Sequence, residues 1–156
     1  LNSMGAGIWG SAFFAIFAVM IIISRPLVGK AYARYGSKYI IYPGLVLFIL
    51  GLLALGIATT PLTIILTAPL LGLGYGAAQP AFQALAIQSA PIERAGVSTA
   101  TYFLALDISV GAGSVILALL ASAVGYQYLY MFTAIIMIVA LALYHIWIKR
   151  YTPQER

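Results

Sequence analysis

The chain has 156 residues, of which 63% are hydrophobic and only 7% are charged, and its mean hydropathy is +1.05. An ordinary soluble domain carries about 25% charged residues, so this composition excludes that class. The net charge of +5 would suggest nucleic-acid binding in a soluble protein. Here the cations lie between and after long apolar runs, which favours a role in membrane orientation.

Five apolar segments are long enough to cross a bilayer as helices, which takes roughly 20 residues each. They cover residues 5–24, 39–59, 62–88, 95–123 and 128–148. All are too long for barrel strands, which need only about 10 alternating residues. The sequence therefore predicts an all-α polytopic bundle of five spans, in which residues 1–156 form a single transmembrane region.

Charged and uncharged connections alternate along the chain. Residues 24–38 hold four of the eight Lys and Arg, residues 89–94 hold one acid and one cation, and the C-terminal end holds three cations. The connections at 59–61 and 125–128 carry no charge. By the positive-inside rule, we expect the N-terminus outside and the C-terminus in the cytoplasm, in a bacterial inner membrane.

Small residues and tyrosines indicate how the spans pack and where they end. Gly72 and Gly76 form a GxxxG pair in the third span, and Ser109 and Gly113 repeat this spacing in the fourth. Such pairs let helices approach closely in lipid, so we predict a tightly packed bundle. The tyrosines gather near the span ends, Tyr144 among them, and their placement is typical of interfacial belts.

Polar residues inside the spans mark a candidate pathway. Asp107 is the only acid within any span. It either faces a cavity, where it suits proton coupling, or holds the bundle together through hydrogen bonds. Gln79 and Gln83 share a helix face with Tyr75, and this stripe either lines a water-filled path or bonds neighbouring helices. The candidate residues for the substrate and proton pathway are Asp107, Gln79, Gln83 and Tyr75.

Two motifs that suggest enzymes lack the context that their chemistry needs. The glycines of GLGYG (72–76) resemble a nucleotide-binding loop, but such a loop follows a strand, and this one lies inside an apolar span. Ser114 and His145 would form a hydrolase site only within hydrogen-bond reach, and nothing in the sequence places them together. We expect no enzymatic activity, no cofactor and no metal site.

The stretch RPLVGKAYARYGSKYIIYPGL (25–45) resembles the cytoplasmic loop called motif A in the major facilitator superfamily, roughly G-x-L-A-D-R-x-G-R-K. The residues that match or flank this pattern are Gly29, Arg34, Gly36, Lys38 and Arg25. The family's Asp falls on Ala33, so the acidic half of the latch that this motif forms in the family is absent. The resemblance therefore does not carry the family's gating role over to this loop.

Two further stretches resemble drug- and sugar-efflux members of that family, GLGYGAAQPAFQALAIQSAPIERAG (72–96) and TATYFLALDISVGAG (99–113). In those members the motif recurs between the eighth and ninth helices. The resemblance implies that the chain is a fragment of the C-terminal six-helix half of a twelve-helix transporter, with helices eight to twelve.

The resemblance also implies an activity, namely proton-coupled efflux of a small organic solute by alternating access. The implied partners are the lipid bilayer, the substrate, protons as coupling ion and the missing N-terminal half, with no nucleic acid. The alternative from a different class is a five-span membrane scaffold or assembly subunit that transports nothing.

Overall fold

The computed structural model describes residues 2–151. Five long helices follow one another, and a short 3₁₀ turn at Ile92–Arg94 precedes the fourth. They are α1 (Asn2–Tyr35), α2 (Lys38–Ile57), α3 (Pro61–Gln88), α4 (Ala95–Val124) and α5 (Tyr126–Tyr151). Each is long and apolar enough to cross a membrane. The predicted all-α bundle of five spans is confirmed.

The first helix continues through most of the stretch that the sequence predicts as a loop. It ends at Tyr35, and only Gly36 and Ser37 separate it from α2. Gly36 has a φ of 82° and donates its N–H to the Tyr32 carbonyl at 2.9 Å, the left-handed ending that glycine adopts without strain. The expectation of a loop over residues 24–38 was therefore wrong, because good helix formers such as Lys30 extend the helix beyond its apolar part.

The uncharged connection between α2 and α3 is closed by a capping box. The Thr60 hydroxyl accepts from the Thr63 N–H at 3.3 Å, and the Thr63 hydroxyl accepts from the Thr60 N–H at 3.1 Å. Pro61 occupies the first helical position, where its missing N–H costs nothing. The other uncharged connection consists of Gly125, with a φ of 86°. Both are tight turns, so neighbouring helices run antiparallel.

The core is formed mainly by α2, α3 and α5, in two clusters stacked along the bundle. The cluster nearer the charged connections contains Ile40, Ile41, Leu45, Ala78, Ala81, Tyr144 and Ile148. The cluster nearer the uncharged connections contains Leu52, Leu55, Leu71 and Ala134. The first helix adds partly buried side chains to both clusters, whereas α4 buries no residue completely. The bundle is therefore layered around α2 and α3, with α4 at its edge.

The glycines of α3 bring it into close contact with both of its main neighbours. A Cβ atom added at Gly74 would lie 2.6 Å from the Phe48 nitrogen and 2.8 Å from the Gly44 oxygen, both backbone atoms of α2. At Gly72 it would lie 2.7 Å from the Phe17 carbonyl oxygen of α1. Side chains at these positions would force the helices apart, so glycine permits this packing.

The predicted GxxxG contact is confirmed for one pair of small residues and not for the other. Gly76 also faces α1, where a Cβ would collide with the Ser24 hydroxyl. A Cβ added at Gly113 would meet no atom within 4 Å, and Ser109 is exposed. Within residues 2–151, the Ser109/Gly113 spacing therefore mediates no helix contact, and that part of the prediction was wrong.

We expect Gly74→Ala to destabilise the protein by about 1–3 kcal/mol, because the new methyl group would overlap backbone atoms that cannot rotate away. The matched variant Gly113→Ala should leave stability unchanged or raise it, because alanine favours helix and the site is open. The measurement is the thermal unfolding of both variants in detergent. Equal unfolding temperatures for the two variants would contradict the close approach of α2 and α3.

Candidate functional site

The fourth helix presents most of its surface outside the bundle. Its half-buried residues recur every three or four positions and form one stripe, which contains Ala95, Ser98, Thr99, Tyr102, Leu106, Gly113, Leu117, Leu120 and Ala121. Apart from Gly113, where an added Cβ would meet no atom within 4 Å, this stripe packs against α3 and α5. All other described residues of α4 are exposed, so most of its circumference is free to meet other surroundings.

Asp107 lies on the exposed part of α4, close to the middle of the helix. It is twelve residues from the start of α4 and seventeen from its end, which places it ~18 Å from the charged end of the bundle. Among residues 2–151 it makes neither a hydrogen bond nor an ion pair. The alternative of a structural, hydrogen-bonded Asp107 therefore finds no support within these residues.

The predicted polar stripe of α3 lies at a similar depth but in a different environment. Tyr75 and Gln79 are thirteen and nine residues from the end of α3, or ~20 Å and ~14 Å from the charged end. The Tyr75 ring lies between those of Phe17 and Phe48, with centroids 6.2 Å from each, and it is 41% exposed. Packing against rings of α1 and α2 thus holds Tyr75 in place.

The two glutamines are half-buried. The Gln79 backbone carbonyl accepts a hydrogen bond from the Tyr102 hydroxyl of α4 at 3.1 Å. The Tyr102 contact, five residues before Asp107, thereby brings α4 to the candidate stripe of α3. Among the described side chains, Asp107 forms no bond with Tyr75, Gln79 or Gln83.

Tyr102 is a residue of this region that sequence reasoning missed. It joins α4 to α3, and the Ser98 hydroxyl one turn earlier donates to the Ala86 carbonyl of α3 at 2.7 Å. The i, i+4 spacing of Ser98 and Tyr102 was a usable signal for a polar contact face. These two hydrogen bonds fix the rotation of α4 about its axis. Because Ser98 and Tyr102 face α3, Asp107 lies on the exposed side of the helix.

Most of the matched residues of the motif lie on helices towards the charged end of the bundle, and Gly36 lies in the short connection between α1 and α2. Arg25, Gly29 and Arg34 belong to the last turns of α1, and Lys38 begins α2. The cationic side chains are exposed, and the Arg34 guanidinium carbon is 5.4 Å from the Tyr35 ring centroid. A cation–π contact of this kind stabilises the folded protein by about 0.5–1 kcal/mol at an exposed site.

Two polar contacts join helix ends at the charged end. The Tyr32 hydroxyl of α1 donates to Gln88 Oε1 of α3 at 3.0 Å, and the Tyr42 hydroxyl of α2 lies 2.6 Å from His145 Nδ1 of α5. Tyr144 is buried among the rings of Tyr42 and Phe82, at centroid distances of 5.3 Å and 5.6 Å. The prediction of an interfacial belt was wrong for Tyr144, which is a core residue.

Ser114 and His145 are not brought together. The Ser114 hydroxyl donates to the Gly111 carbonyl, while His145 contacts Tyr42. Ser114 is ten residues from the uncharged end and His145 is nineteen, so they differ in depth by roughly 13 Å. A serine–histidine catalytic pair is thus not formed.

Two grooves run beside the seam between α4 and α5 near the uncharged end. One has a volume of about 580 Å³ and the other about 390 Å³. Their walls are mainly apolar, with Leu129 common to both. Neither is lined by Asp107 or by the stripe of α3, so these grooves are separate from the candidate pathway.

A comparison with protein families gives a match to the model described as Major Facilitator Superfamily over residues 2–156. The chain belongs to this superfamily. It is an integral membrane protein, and the predicted resemblance to this superfamily is confirmed. The five helices are accordingly part of a major facilitator fold.

Bacterial transporters are among the major facilitator relatives that this chain resembles. It is 29% identical over 149 residues to the uncharacterized MFS-type transporter YhhS of Escherichia coli K12, and the Shigella flexneri protein of that name matches equally. The Salmonella typhimurium protein is 28% identical over 147 residues. These alignments cover 93–94% of this chain and 36% of each relative. No solved structure matches significantly.

We expect Tyr42→Phe to destabilise the protein by about 0.5–1.5 kcal/mol, because it removes the hydroxyl that bonds His145. In a His145→Phe background the same change should cost much less, since the partner is already absent. The measurement is a double-mutant cycle of unfolding free energies, with Tyr39→Phe as the control at an exposed position. Additive effects of the two changes would contradict the bond.

Proposed function

We propose that this chain is the C-terminal part of a secondary active transporter that exports a small organic solute in exchange for protons. Membership of the major facilitator superfamily and the transporter names of its relatives support membrane transport. The chain spans about a third of the length of those relatives, so the proposal concerns a complete transporter in which a second half faces these helices. Alternating access would expose a midplane site between the halves to each side in turn.

The observation that carries the proposal is the position of Asp107. A carboxylate at the centre of a span costs about 2.5–3.5 kcal/mol if it faces lipid. Asp107 is exposed, central and without a partner among residues 2–151. A face with such a residue is better suited to an aqueous pathway between the two halves than to the bilayer.

Proton coupling would follow from the two charge states of this carboxylate. Protonated Asp107 is neutral and can pass through an occluded, water-poor state, whereas the ionised form requires water or a cation beside it. Most cations with described side chains lie near helix ends, whereas Arg25 of α1 lies ~15 Å from the charged end, at a depth similar to that of Asp107. No ion pair joins Arg25 to Asp107 among the described side chains. Exchange of a proton for substrate at Asp107 would then link export to the proton gradient.

Tyr75, Gln79 and Gln83 are proposed as the polar wall of the same pathway. Tyr75 and Gln79 are at the depth of Asp107 to within about 4 Å along the bundle. Tyr75 keeps its ring exposed while Phe17 and Phe48 fix its position, which leaves its hydroxyl available to a substrate. A fixed aromatic residue with a polar tip is a common element of solute sites.

The charged end of the bundle is proposed to face the cytoplasm, in the inner membrane of a bacterium. Lys30, Arg34 and Lys38 lie near the α1–α2 connection, Arg25 lies ~15 Å before the end of α1, and the tight turns at Thr60 and Gly125 lie at the other end. Cytoplasmic ends of membrane proteins carry an excess of Lys and Arg. We propose that Gly29 and Gly36 set the backbone path at the α1–α2 connection. Ala33 stands where the family pattern has an Asp, so this connection lacks that acid.

We expect Asp107→Asn to abolish proton-coupled transport by the complete protein, because an amide cannot bind and release a proton. Asp107→Glu should retain part of it. The measurement uses energised everted membrane vesicles, in which an acridine dye reports the loss of the pH gradient when an exported solute is added. Solutes are chosen by this response in the wild type.

The control for that experiment is Ser109→Ala, which removes an exposed hydroxyl bonded to the carbonyl of Ala105 in its own helix. It should transport like the wild type. Proton coupling that persists in a well-expressed Asp107→Asn variant would overturn the role of this residue.

The orientation has its own test, since residues 1–156 contain no cysteine. Thr60→Cys should react with a membrane-impermeant maleimide added outside intact cells from which the outer membrane has been removed. Ser37→Cys should react only after the inner membrane is opened. The reverse pattern, measured against the protein without either substitution, would contradict a cytoplasmic charged end.

A further inference from the structure

The second helix begins, at the charged end, with N–H groups that have no capping side chain among residues 2–151. The N–H groups of Ile40 and Ile41 donate to the Ser37 carbonyl at 3.2 Å and 2.9 Å, and these are the first hydrogen bonds of the helix. The N–H groups of Ser37, Lys38 and Tyr39 therefore precede its hydrogen-bonded part. Ser37 makes no side-chain cap, and the first turn contains no acidic residue. The partial positive charge of this helix end is thus uncompensated.

A buried hydroxyl beside the start of α2 also has no partner. Tyr144 of α5 is 6% exposed, and its hydroxyl makes no hydrogen bond to any described residue. It lies next to the side chain of Ser37, which is half-buried. A rotation of the Ser37 side chain would let its oxygen accept from Tyr144, and the Ser37 proton would then be free to bond a ligand. Since an unbonded buried hydroxyl is costly, this arrangement favours a ligand at the helix start.

Two cations flank the same point of the chain. Arg34 is three residues before Ser37 and Lys38 is one residue after it, and both cationic side chains are exposed. The Arg34 guanidinium carbon is 5.4 Å from the Tyr35 ring centroid, and the Tyr35 and Tyr39 centroids are 6.2 Å apart. No Asp or Glu occurs in this part of the sequence. Free N–H groups, two cations and a hydroxyl together suit an anion with several acceptor oxygens.

The depth of this helix start favours the phosphate of a lipid over a dissolved anion. With 20 residues, α2 is ~30 Å long, which is the thickness of the hydrocarbon core, so its start lies at the level of the lipid head groups. The Tyr35 and Tyr39 side chains beside it are 55% and 72% exposed, as is typical of tyrosines at the membrane interface. A Cβ atom added at Gly36 would meet no atom within 4 Å, so the approach to the connection is open.

We propose that the start of α2 binds the phosphate group of an anionic phospholipid of the phosphatidylglycerol type. The N–H groups of Lys38 and Tyr39 and the hydroxyl of Ser37 donate to the phosphate oxygens. Arg34 and Lys38 supply the compensating charge, and Tyr144 holds the Ser37 hydroxyl in its donating position. A zwitterionic lipid brings its own ammonium group beside these cations and binds less tightly. The site is independent of which solute the protein transports.

The test compares two phospholipids with identical acyl chains and different head groups. Dioleoyl phosphatidylglycerol and dioleoyl phosphatidylcholine are added in equal amounts to the purified complete protein in detergent. Unbound lipid is removed by gel filtration, and the retained lipid is quantified by mass spectrometry. We expect at least about tenfold more phosphatidylglycerol to be retained, because each nearby cation strengthens the attraction. Equal retention of the two lipids would overturn the proposal.

A second arm separates the lipid from free phosphate. Inorganic phosphate is added in excess over phosphatidylglycerol, and sodium chloride of the same ionic strength serves as the control. We expect the two salts to have equal effects on retention, because free phosphate lacks the acyl chains that hold the head group at this depth. Displacement by phosphate and not by chloride would show a site for a dissolved anion and would overturn the lipid as its ligand.

Variants at the helix start locate the site. Ser37→Asp places a carboxylate in the position of the phosphate and caps the helix, so it should keep the unfolding temperature and lose the preference for phosphatidylglycerol. Lys38→Gln should lower the preference about threefold to tenfold. Arg94→Gln removes the same charge from the connection before α4 and should leave the preference unchanged. A full preference in Ser37→Asp would overturn the site.

Tyr144→Phe tests the part of the buried hydroxyl. It should lower the preference for phosphatidylglycerol about threefold, because the Ser37 hydroxyl loses the group that orients it. It should not lower the unfolding temperature of the lipid-free protein, since the hydroxyl has no partner there. A variant that is less stable without lipid and keeps the full preference would assign this hydroxyl to folding and overturn its part in the site.

Discussion

The close approach of α3 to both α1 and α2 is the contact on which the rest of the bundle depends. Lipid tails are as apolar as the helices, so burial from water does not drive the helices together, and backbone proximity must do so. Gly72 and Gly76 bring α1 close on one side, and Gly74 meets Gly44 of α2 on the other. With α3 held between them, the side chains of α2 and α5 can fill the two core clusters.

This arrangement places the buried side chains on one side of the bundle and leaves α4 at its edge. The fourth helix is held by a single stripe, in which the hydroxyls of Ser98 and Tyr102 bond to backbone carbonyls of α3. A helix fixed through polar contacts on one face has a defined rotation. The exposure of Asp107 is therefore a consequence of the α3–α4 contact.

Among the side chains that the structure describes, aromatic and amide groups rather than ion pairs organise the charged end. Tyr32 bonds Gln88, and Tyr42 bonds His145 beside the buried ring of Tyr144. The four cations of residues 25–38 project outward from helices that these contacts hold together. In the proposed orientation they meet the cytoplasm and the lipid head groups, where a positive charge needs no protein partner.

The sequence by itself determined the number of spans, their approximate bounds, the alternation of charged ends and the identity of Asp107 as the one acid within a span. These follow from bilayer thickness and from the cost of charge in hydrocarbon. Only the tertiary structure decided that Gly113 makes no helix contact, that Tyr144 is buried and that Tyr102 bonds α3. The physical reason is that helices apolar on every side carry no periodic signal of which face will pack.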